Sequence, residues 1–406
     1  MEKELFAQAL GLTKSWEITK IDFKSDGGVF DRGVMNIYID WKKGSRFPDD
    51  EGEMCGVHDT VAKTYRHIDF FQHECFLHCR IPRIKTSGGR VQTVKVPWAR
   101  KGSQFTLQFE SYALTLVGCE MPVNRVAKIL NVYPNRIWRI LDFYVHNSRC
   151  EQDYSEITQL GIDEKSYRKG HKYLTVCSDL KEHRVIHVSP GRSKDSIKRI
   201  KDFVGSRQVN SDQITDICID PYPAYIGGVL EHFESSSITF DKYHIKRLLN
   251  VAMDKIRRAE QRENRELKRT RYLWLRNEST LTSKQQSKLN YLSINYPTIG
   301  KAYRLKLSFD DLWQCKTVEQ AEEFLNDWTH EASKLQISYL DQFVHTIYVH
   351  WYGVIQYFQS RISNGIVESI NQKIALAIRR ARGFRNLHNL SNMIYLIAGK
   401  LTFNFH

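Results

Sequence analysis

No stretch of this chain of 406 residues comes near the run of about 18 apolar residues that a membrane-crossing helix needs. The amino-terminal MEKELFAQALGLTKSW also lacks the long apolar segment of a secretion signal, so a cytoplasmic protein without a membrane partner is expected. Cysteine is sparse and scattered. Of eight, only Cys55, Cys75 and Cys79 lie close together, which speaks against a disulfide framework and for reduced thiols. There is no internal repeat and no low-complexity tract. Acidic residues are in deficit, 46 against 60 Lys and Arg, and the net charge of +14 favours a polyanionic partner, nucleic acid before an anionic membrane surface. The remainder is ordinary: 41% hydrophobic and 26% charged residues describe a core-forming chain, long enough for two or three domains.

The texture changes along the chain. Residues 30–108 are rich in aromatic and β-branched residues, as in VFDRGVMNIYIDW, and SGG separates two strand-like runs in RIKTSGGRVQTVKVPW, so a β-rich module is expected. FESYALTLV, PVNRVAKIL and PNRIWRILDFYVH then read as three short helices, with Pro122 and Pro134 each suited to a first turn. A polar linker is expected around NSRCEQDYSE. Beyond it, QLGID, KYLTVCS and RVIHVSP read as strands, SKDSIKRIKDFV as a helix, TDICID as a strand, AYIGGVLEHF as a helix and SSITFD as a strand, which makes a mixed α/β sheet. From Tyr243 to Phe358 the pattern is almost wholly helical, with capping-box starts at Thr282 to Gln285 and Thr317 to Gln320.

Three features carry chemistry. The turn NVYPN between two helices, the second beginning with Asn135, Arg136 and Arg139, fits a helix-turn-helix that sets polar side chains against base edges and phosphates; a plain three-helix packing unit fits the spacing equally well. Asp163 and Asp220 each end a strand, where side chains of a parallel sheet point into a ligand crevice. Two carboxylates held close together need a cation between them, most naturally Mg²⁺, although a lone strand-end Asp commonly serves as a cap or turn residue. In SNGIVESINQKI, a helix over residues 364–380 sets Asn364, Glu368 and Asn371 on one polar face and Ile366, Ile370, Ile374 and Ala377 on another. A third carboxylate brought by a late helix to two strand-end aspartates is what a two-metal phosphoryl-transfer site needs; the alternative is an exposed surface Glu.

The order Asp163, Asp220, Glu368 resembles the DDE triad of RNase H-like transposases, and the flanking text resembles the insertion-sequence family called ISL-three. The resemblance runs through GIDEKSYRKGHKYLTVCSDL, RVIHVSPGRSKDS, ICIDPYPAYIGGV, ITFDKYHIKRLLNVAMDKIRR and YFQSRISNGIVESINQKI with RRARGFRN, collinear over nearly the whole chain. It implies a multidomain α/β protein: an N-terminal β-rich, zinc-finger-like module (1–108), a helix-turn-helix (109–150), and an RNase H-like mixed α/β catalytic domain (151–244 and 359–406) interrupted by a large all-α insertion (245–358). Asp241 and His244 in FDKYH resemble a D-x-x-H element of related transposases, and Asp241 also suits a helix cap.

The zinc-finger pattern is incomplete. Where relatives carry a C-P-x-C knuckle this chain has only Cys55, with His58 nearby, and Thr86 stands at a later cysteine position. Zn²⁺ held by Cys55, His58, His73 and Cys75 is one expectation, because H-x-C on a strand puts both donors on one face; a module that folds on its core alone is the other. By resemblance, two Mg²⁺ or Mn²⁺ ions on Asp163, Asp220 and Glu368 support cleavage at the element's ends and strand transfer into target DNA. Asn371, with Asp241 and His244, stands in support. Basic stretches carrying Lys246, Arg247, Arg379 and Arg380 suit the DNA backbone, though interspersed Glu260, Glu263 and Glu266 equally suit a solvated helix face. Pairing two element ends implies a homodimer in the DNA complex, and the family implies a prokaryotic, nucleoid-associated location. A transposase-derived DNA-binding regulator and an RNase H-like nuclease without strand transfer stay open as alternatives.

Overall fold

Alternation of apolar and polar residues builds a first sheet, in a computed structural model that describes residues 2–25, 32–168, 170, 172–362 and 365–405. After helix α1 (Glu2–Ala9) come strands β1 (Trp16–Lys24), β2 (Val34–Trp41), the short pair β3 (Phe47–Pro48) and β4 (Met54–Cys55), then β5 (Val57–Phe70), β6 (His73–Lys85) and β7 (Val91–Thr93). The sheet runs β1-β2-β6-β5 with β7 also paired to β6, and β2 and β6 are parallel. Met35, Ile37 and Ile39 stand level with Cys75, Leu77 and Cys79 and turn inward with them, under Leu10, Trp16 and Trp98.

That inward turn lends the zinc expectation no support. Cys75 is a core side chain whose thiol is pushed up to about 11 by burial. His58 is exposed on β5 and pairs with Asp59 at 3.4 Å, and His73 Nδ1 accepts the Gly33 N–H at 3.0 Å. Cys55, on β4, lies 3.5 Å from the Glu53 carbonyl. The four occupy separate environments and form no metal group among the described residues.

A strap, residues 94–106, rejoins β5 through Arg66 N–H to the Gln104 carbonyl (2.8 Å) and Thr106 N–H to the Arg66 carbonyl (3.0 Å). Helices α2 (Leu107–Gly118), α3 (Val123–Ile129) and α4 (Pro134–Glu151) follow. Thr106 caps α2 by accepting the Phe109 N–H; Pro134 opens α4 in its first turn, whereas Pro122 is the residue just before α3 rather than inside it. The fully buried Glu110 carboxylate accepts from Arg100 Nε (2.8 Å), Ser103 Oγ (2.7 Å) and Tyr144 O–H (2.9 Å), so strap, α2 and α4 share one satisfied polar network. The expected linker begins late: Asn147 to Glu151 complete α4, because Ser148 is buried and the Arg149 guanidinium lies 3.6 Å from the ring centroid of Tyr395.

The second sheet contains β8 (Gln159–Arg168), β9 (Lys172–Asp179), β10 (Arg184–Pro190), β11 (Asp216–Ile219) and β12 (Ser237–Phe240) in the order β10-β9-β8-β11-β12. Only β9 runs against the others. Helices α5 (Lys194–Ser206) and α6 (Pro223–His232) connect these strands, and α7 (Lys242–Gln261), α8 (Arg271–Leu275), α9 (Ser283–Asn295), α10 (Pro297–Ser308), α11 (Val318–Lys334), α12 (Ser338–Val349) and α13 (Trp351–Ser360) follow. The capping box at Thr282 and Gln285 is reciprocal; at Thr317 the cap accepts the Gln320 N–H, but Gln320 Oε1 turns instead to the Lys316 N–H. One sheet face packs on α5, α6 and α11 to α13. The other packs on α4 together with α14 (Gly365–Arg380) and α15 (Leu387–Ala398), within one hydrophobic cluster that also includes α2 and α3. Among the described residues no helix is long and apolar enough to cross a membrane.

Candidate active site

Strand register places the acids. Ile162 of β8 pairs with Ile219 of β11, and Ile219 with Phe240 of β12, all three parallel neighbours. These three side chains pack into the cluster of α5, α6 and the insertion helices. Side chains alternate along a strand, so the next residues, Asp163, Asp220 and Asp241, stand side by side on the opposite face. That is the face of α14, whose Val367 packs on Cys218 of β11. The parallel ladders of β11 with β8 and with β12 thus stop one residue short of three carboxylates at one level, and Asp241, expected only in support, is the geometric equal of the other two. Asp163 does not end its strand as expected: β8 runs on to Arg168, because Asp163 to Arg168 stay paired with the antiparallel β9.

The charges are compensated locally. Asp241 caps α7 by accepting the Tyr243 N–H at 3.3 Å, and its other oxygen accepts from His244 Nδ1 at 3.0 Å. His244 Nδ1 also stands 2.6 Å from Asp220 Oδ1, a close ion pair. Burial by itself would lower the His244 pKa, but hydrogen bonding and charge from Asp220 and Asp241 outweigh it and raise it to about 10. Asp163 Oδ1 accepts the Glu164 N–H at 2.6 Å, and its Oδ2 accepts from Asn371 Nδ2 of α14. Burial and the neighbouring Asp220 push the Asp163 carboxyl up to about 7.

Asp220, Asp241 and His244 form the one group of three or more His, Cys, Asp or Glu, among the described residues, whose ligand atoms all lie within 4.8 Å of one another. Asp220 Oδ1 is buried, with His244 Nδ1 as its close ion-pair partner. Buried carboxylate oxygens gathered with a further donor fit a hard divalent cation. Glu368, in the first turn of α14, is exposed and outside this group. An outward carboxylate avoids the repulsion of the three aspartates. Asn371 differs from the expected polar face: it is buried and turned toward Asp163, one turn along from Glu368. Asn364 lies outside the described residues.

The basic residues divide. Asn135 and Arg139 are exposed one turn apart at the start of α4, and Arg136, half-buried, donates to Gln104 Oε1 of the strap at 2.6 Å. Sequence reasoning missed Gln104, which carries no signal apart from its place before α2. Lys246 is paired with Asp310 at 2.7 Å, whereas Arg247 is exposed. Arg379 is exposed in the last turn of α14, and Arg380 pairs with Glu120 between α2 and α3.

Comparison with known proteins follows this division. A family described as a transposase, of the ISL3 type, matches residues 160–394, and the helix-turn-helix domain of transposase family ISL3 matches residues 94–145, starting within the strap. The chain is 26% identical over 418 aligned residues to the transposase for insertion sequence element IS1557 of Mycobacterium tuberculosis, covering 94% of this chain and 92% of that protein. It is 24% identical over 392 residues to the transposase for insertion sequence element IS1001 of Bordetella parapertussis, covering 93% of this chain and 94% of that protein. With its row of aspartates and helix-turn-helix both inside matched segments, and the first segment alone spanning more than half of its length, the chain belongs to the ISL3 family of transposases.

Proposed function

We propose that this transposase binds the terminal inverted repeats of its insertion sequence and catalyses metal-dependent DNA cleavage and strand transfer in an RNase H-like core. The observation that carries the reading is the row of Asp163, Asp220 and Asp241 just past the last parallel pairs of three neighbouring strands, facing the helix that bears Glu368. In this reading the core is residues 151–244 with 359–406, the helical insertion is 245–358, and 109–150 with the strap before it reads the repeat.

Divalent cations, Mg²⁺ or Mn²⁺, would be held by Asp163 and Asp220 with Glu368 completing the set, and would supply Lewis-acid stabilisation of phosphodiester oxygens and a more acidic water. The chain's own residues position the reaction. Asn371 fixes one oxygen of Asp163 and ties its strand to α14, so the placement of Glu368 is coupled to that of Asp163. His244 holds a proton at Nδ1 between Asp220 and Asp241. Water attacks the phosphodiester at the element's end, the P–O bond to the 3′ oxygen breaks, and that oxygen leaves as a hydroxyl. The hydroxyl then attacks a target phosphodiester, one P–O bond forming as another breaks, without a covalent protein intermediate. Asn135, Arg136 and Arg139 would meet the repeat, and Arg247 and Arg379 the backbone, with salt-dependent affinity. Two ends brought together call for a homodimer, working in the cytoplasm at the nucleoid.

The test is cleavage and joining with Mg²⁺ on pre-nicked DNA carrying the element's ends, native protein against Glu368→Gln. Joining by the native protein, and binding without joining by the variant, is the expected result. Cutting without joining by the native protein gives a nuclease; binding without cutting by both gives a regulator.

A further inference from the structure

A sizeable cleft lies away from the acids, in the N-terminal module, where residues 90–102 cover the sheet; it measures about 590 Å³, within the usual size of a small-ligand site. Buried Tyr65 and Ile81 line its apolar side, while exposed Lys63, Arg90 and Lys101 bring positive charge to it. One carboxylate, Asp50, also lines it, and it is engaged by Lys95 at 2.9 Å.

Arg100 and Gly102 line this cleft and also the neighbouring one, of about 390 Å³, whose other wall is Arg136 and Arg139 of α4. Arg100 is held in place by Glu110 and by Phe143, whose ring centroid lies 4.0 Å from the guanidinium. A nucleic-acid strand seated at the start of α4 therefore has a continuous basic path into the N-terminal module. A duplex hides its base faces in the stack and offers such a cleft phosphates and groove edges but no base face. An unpaired nucleotide offers a phosphate to the basic residues and a flat apolar face to the floor.

We infer that this cleft takes an unpaired nucleotide of DNA that continues beyond the duplex held by the helix-turn-helix. The inference rests on DNA binding by α4 but not on cleavage or strand transfer. It gives the N-terminal module a role in which no metal takes part.

The probes are a fluorescein-labelled blunt duplex and the same duplex with a short oligo(dT) tail of either polarity, bound to the full chain in EDTA and followed by anisotropy. Native protein is expected to bind one tailed duplex about tenfold more tightly than the blunt one, the scale of a single base contact. Thr93→Trp, which fills the cleft from an exposed position, should abolish that gain and leave blunt-duplex affinity unchanged. A combined Lys63→Gln, Arg90→Gln, Lys101→Gln variant should also lose it, so the inference does not hang on one substitution folding well. No gain for either polarity, or a gain retained in both variants, overturns the cleft's role. Displacement by poly-glutamate as readily as by oligo(dT) overturns it in favour of an acidic peptide. Failure to bind even the blunt duplex removes the DNA-binding reading itself, a result distinct from loss of the gain alone.

Discussion

In the N-terminal sheet the residues of metal-binding type, Cys75 and Cys79, lie on a strand face that meets a packed apolar core. In the second sheet Asp163, Asp220 and Asp241 each come one residue after the last parallel pairs, Ile162 with Ile219 and Ile219 with Phe240, on the face that looks toward α14, while β8 itself runs on beside β9. Both sheets have five strands and mix parallel with antiparallel pairing. Residue type therefore does not decide between core and chemistry; what the strand face meets does. A side chain on a face covered by packed neighbours behaves as a hydrophobe, whereas one on a face beside the point where a neighbouring parallel strand stops has a free side from which a ligand can approach.

The widest separation between the two sheets is expected in activity. Asp220→Asn should lower cleavage roughly a thousandfold or more while leaving DNA binding intact. Asp241→Asn tests the register argument, since it can still cap α7 but loses the charge level with the other two. A loss comparable to that of Asp163→Asn is expected in the same cleavage assay; a loss of less than about tenfold would return Asp241 to the role of a helix cap.

Next is stability, where the sign reverses. Cys75→Ser places a hydroxyl among apolar side chains and should cost about 1–3 kcal/mol in urea unfolding with no loss of cleavage. Asp163→Asn should cost cleavage and leave stability unchanged or higher, because the native carboxyl is buried beside Asp220, which pushes its pKa up to about 7. A Cys75→Ser protein that is stable but inactive would break the comparison.

Much of this architecture was legible in the sequence. Strand and helix order through the second sheet followed from local periodicity, and Thr282 with Gln285 forms the box its spacing announces. What local pattern could not supply was register: Leu160, Ile217 and Ile238 are brought level by pairing between strands far apart in the chain, and only that pairing promotes Asp241. A retrospective signal exists in GID, CID and TFD, three strand segments in which an apolar residue is followed by an aspartate. For zinc, H-x-C spacing gives the face shared by two residues and not what that face meets, which for Cys75 is the apolar core. The polar text NSRCE concealed a helix end for a similar reason, since the packing of Arg149 against Tyr395 is tertiary.

Protonation separates the two sheets in opposite directions. Burial, with the Arg66 charge adding to it, lowers the His67 pKa on β5 from 6.5 to about 4. Above pH 6.5 this histidine is neutral folded and unfolded; between 6.5 and 4 the unfolded chain takes a proton that the folded chain refuses, so stability falls as pH falls. The slope from this one group is at most about 1.4 kcal/mol per pH unit, so about 2 kcal/mol is at stake on going to pH 5. His244 runs the other way: with its pKa raised from 6.5 to about 10, its contribution is full below 6.5 and is lost as pH rises toward 10. Urea midpoints in EDTA at pH 5, 7 and 9 should show His67→Gln flattening the acid side and His244→Gln the alkaline side. Equal profiles for all three proteins would remove the distinction.

The smallest effect is the one that sharpens the comparison most. Divalent cations bound only at the row of aspartates stabilise the folded chain by their mass action alone, about 1 kcal/mol at a few times the dissociation constant. Transfer from Mg²⁺ to EDTA should therefore lower the unfolding free energy by about that much in native protein and by nothing in Asp220→Asn, whose donor set is broken. A structural zinc in the N-terminal module would behave otherwise, since the binding energy of such an ion is largely folding energy and chelation would unfold the module. Because Cys55, His58, His73 and Cys75 lie apart, EDTA should release no stoichiometric zinc and leave the near-ultraviolet dichroism of buried Trp16 and Trp98 unchanged. A large EDTA effect that persists in Asp220→Asn would put a metal back in the first sheet and end the contrast between them.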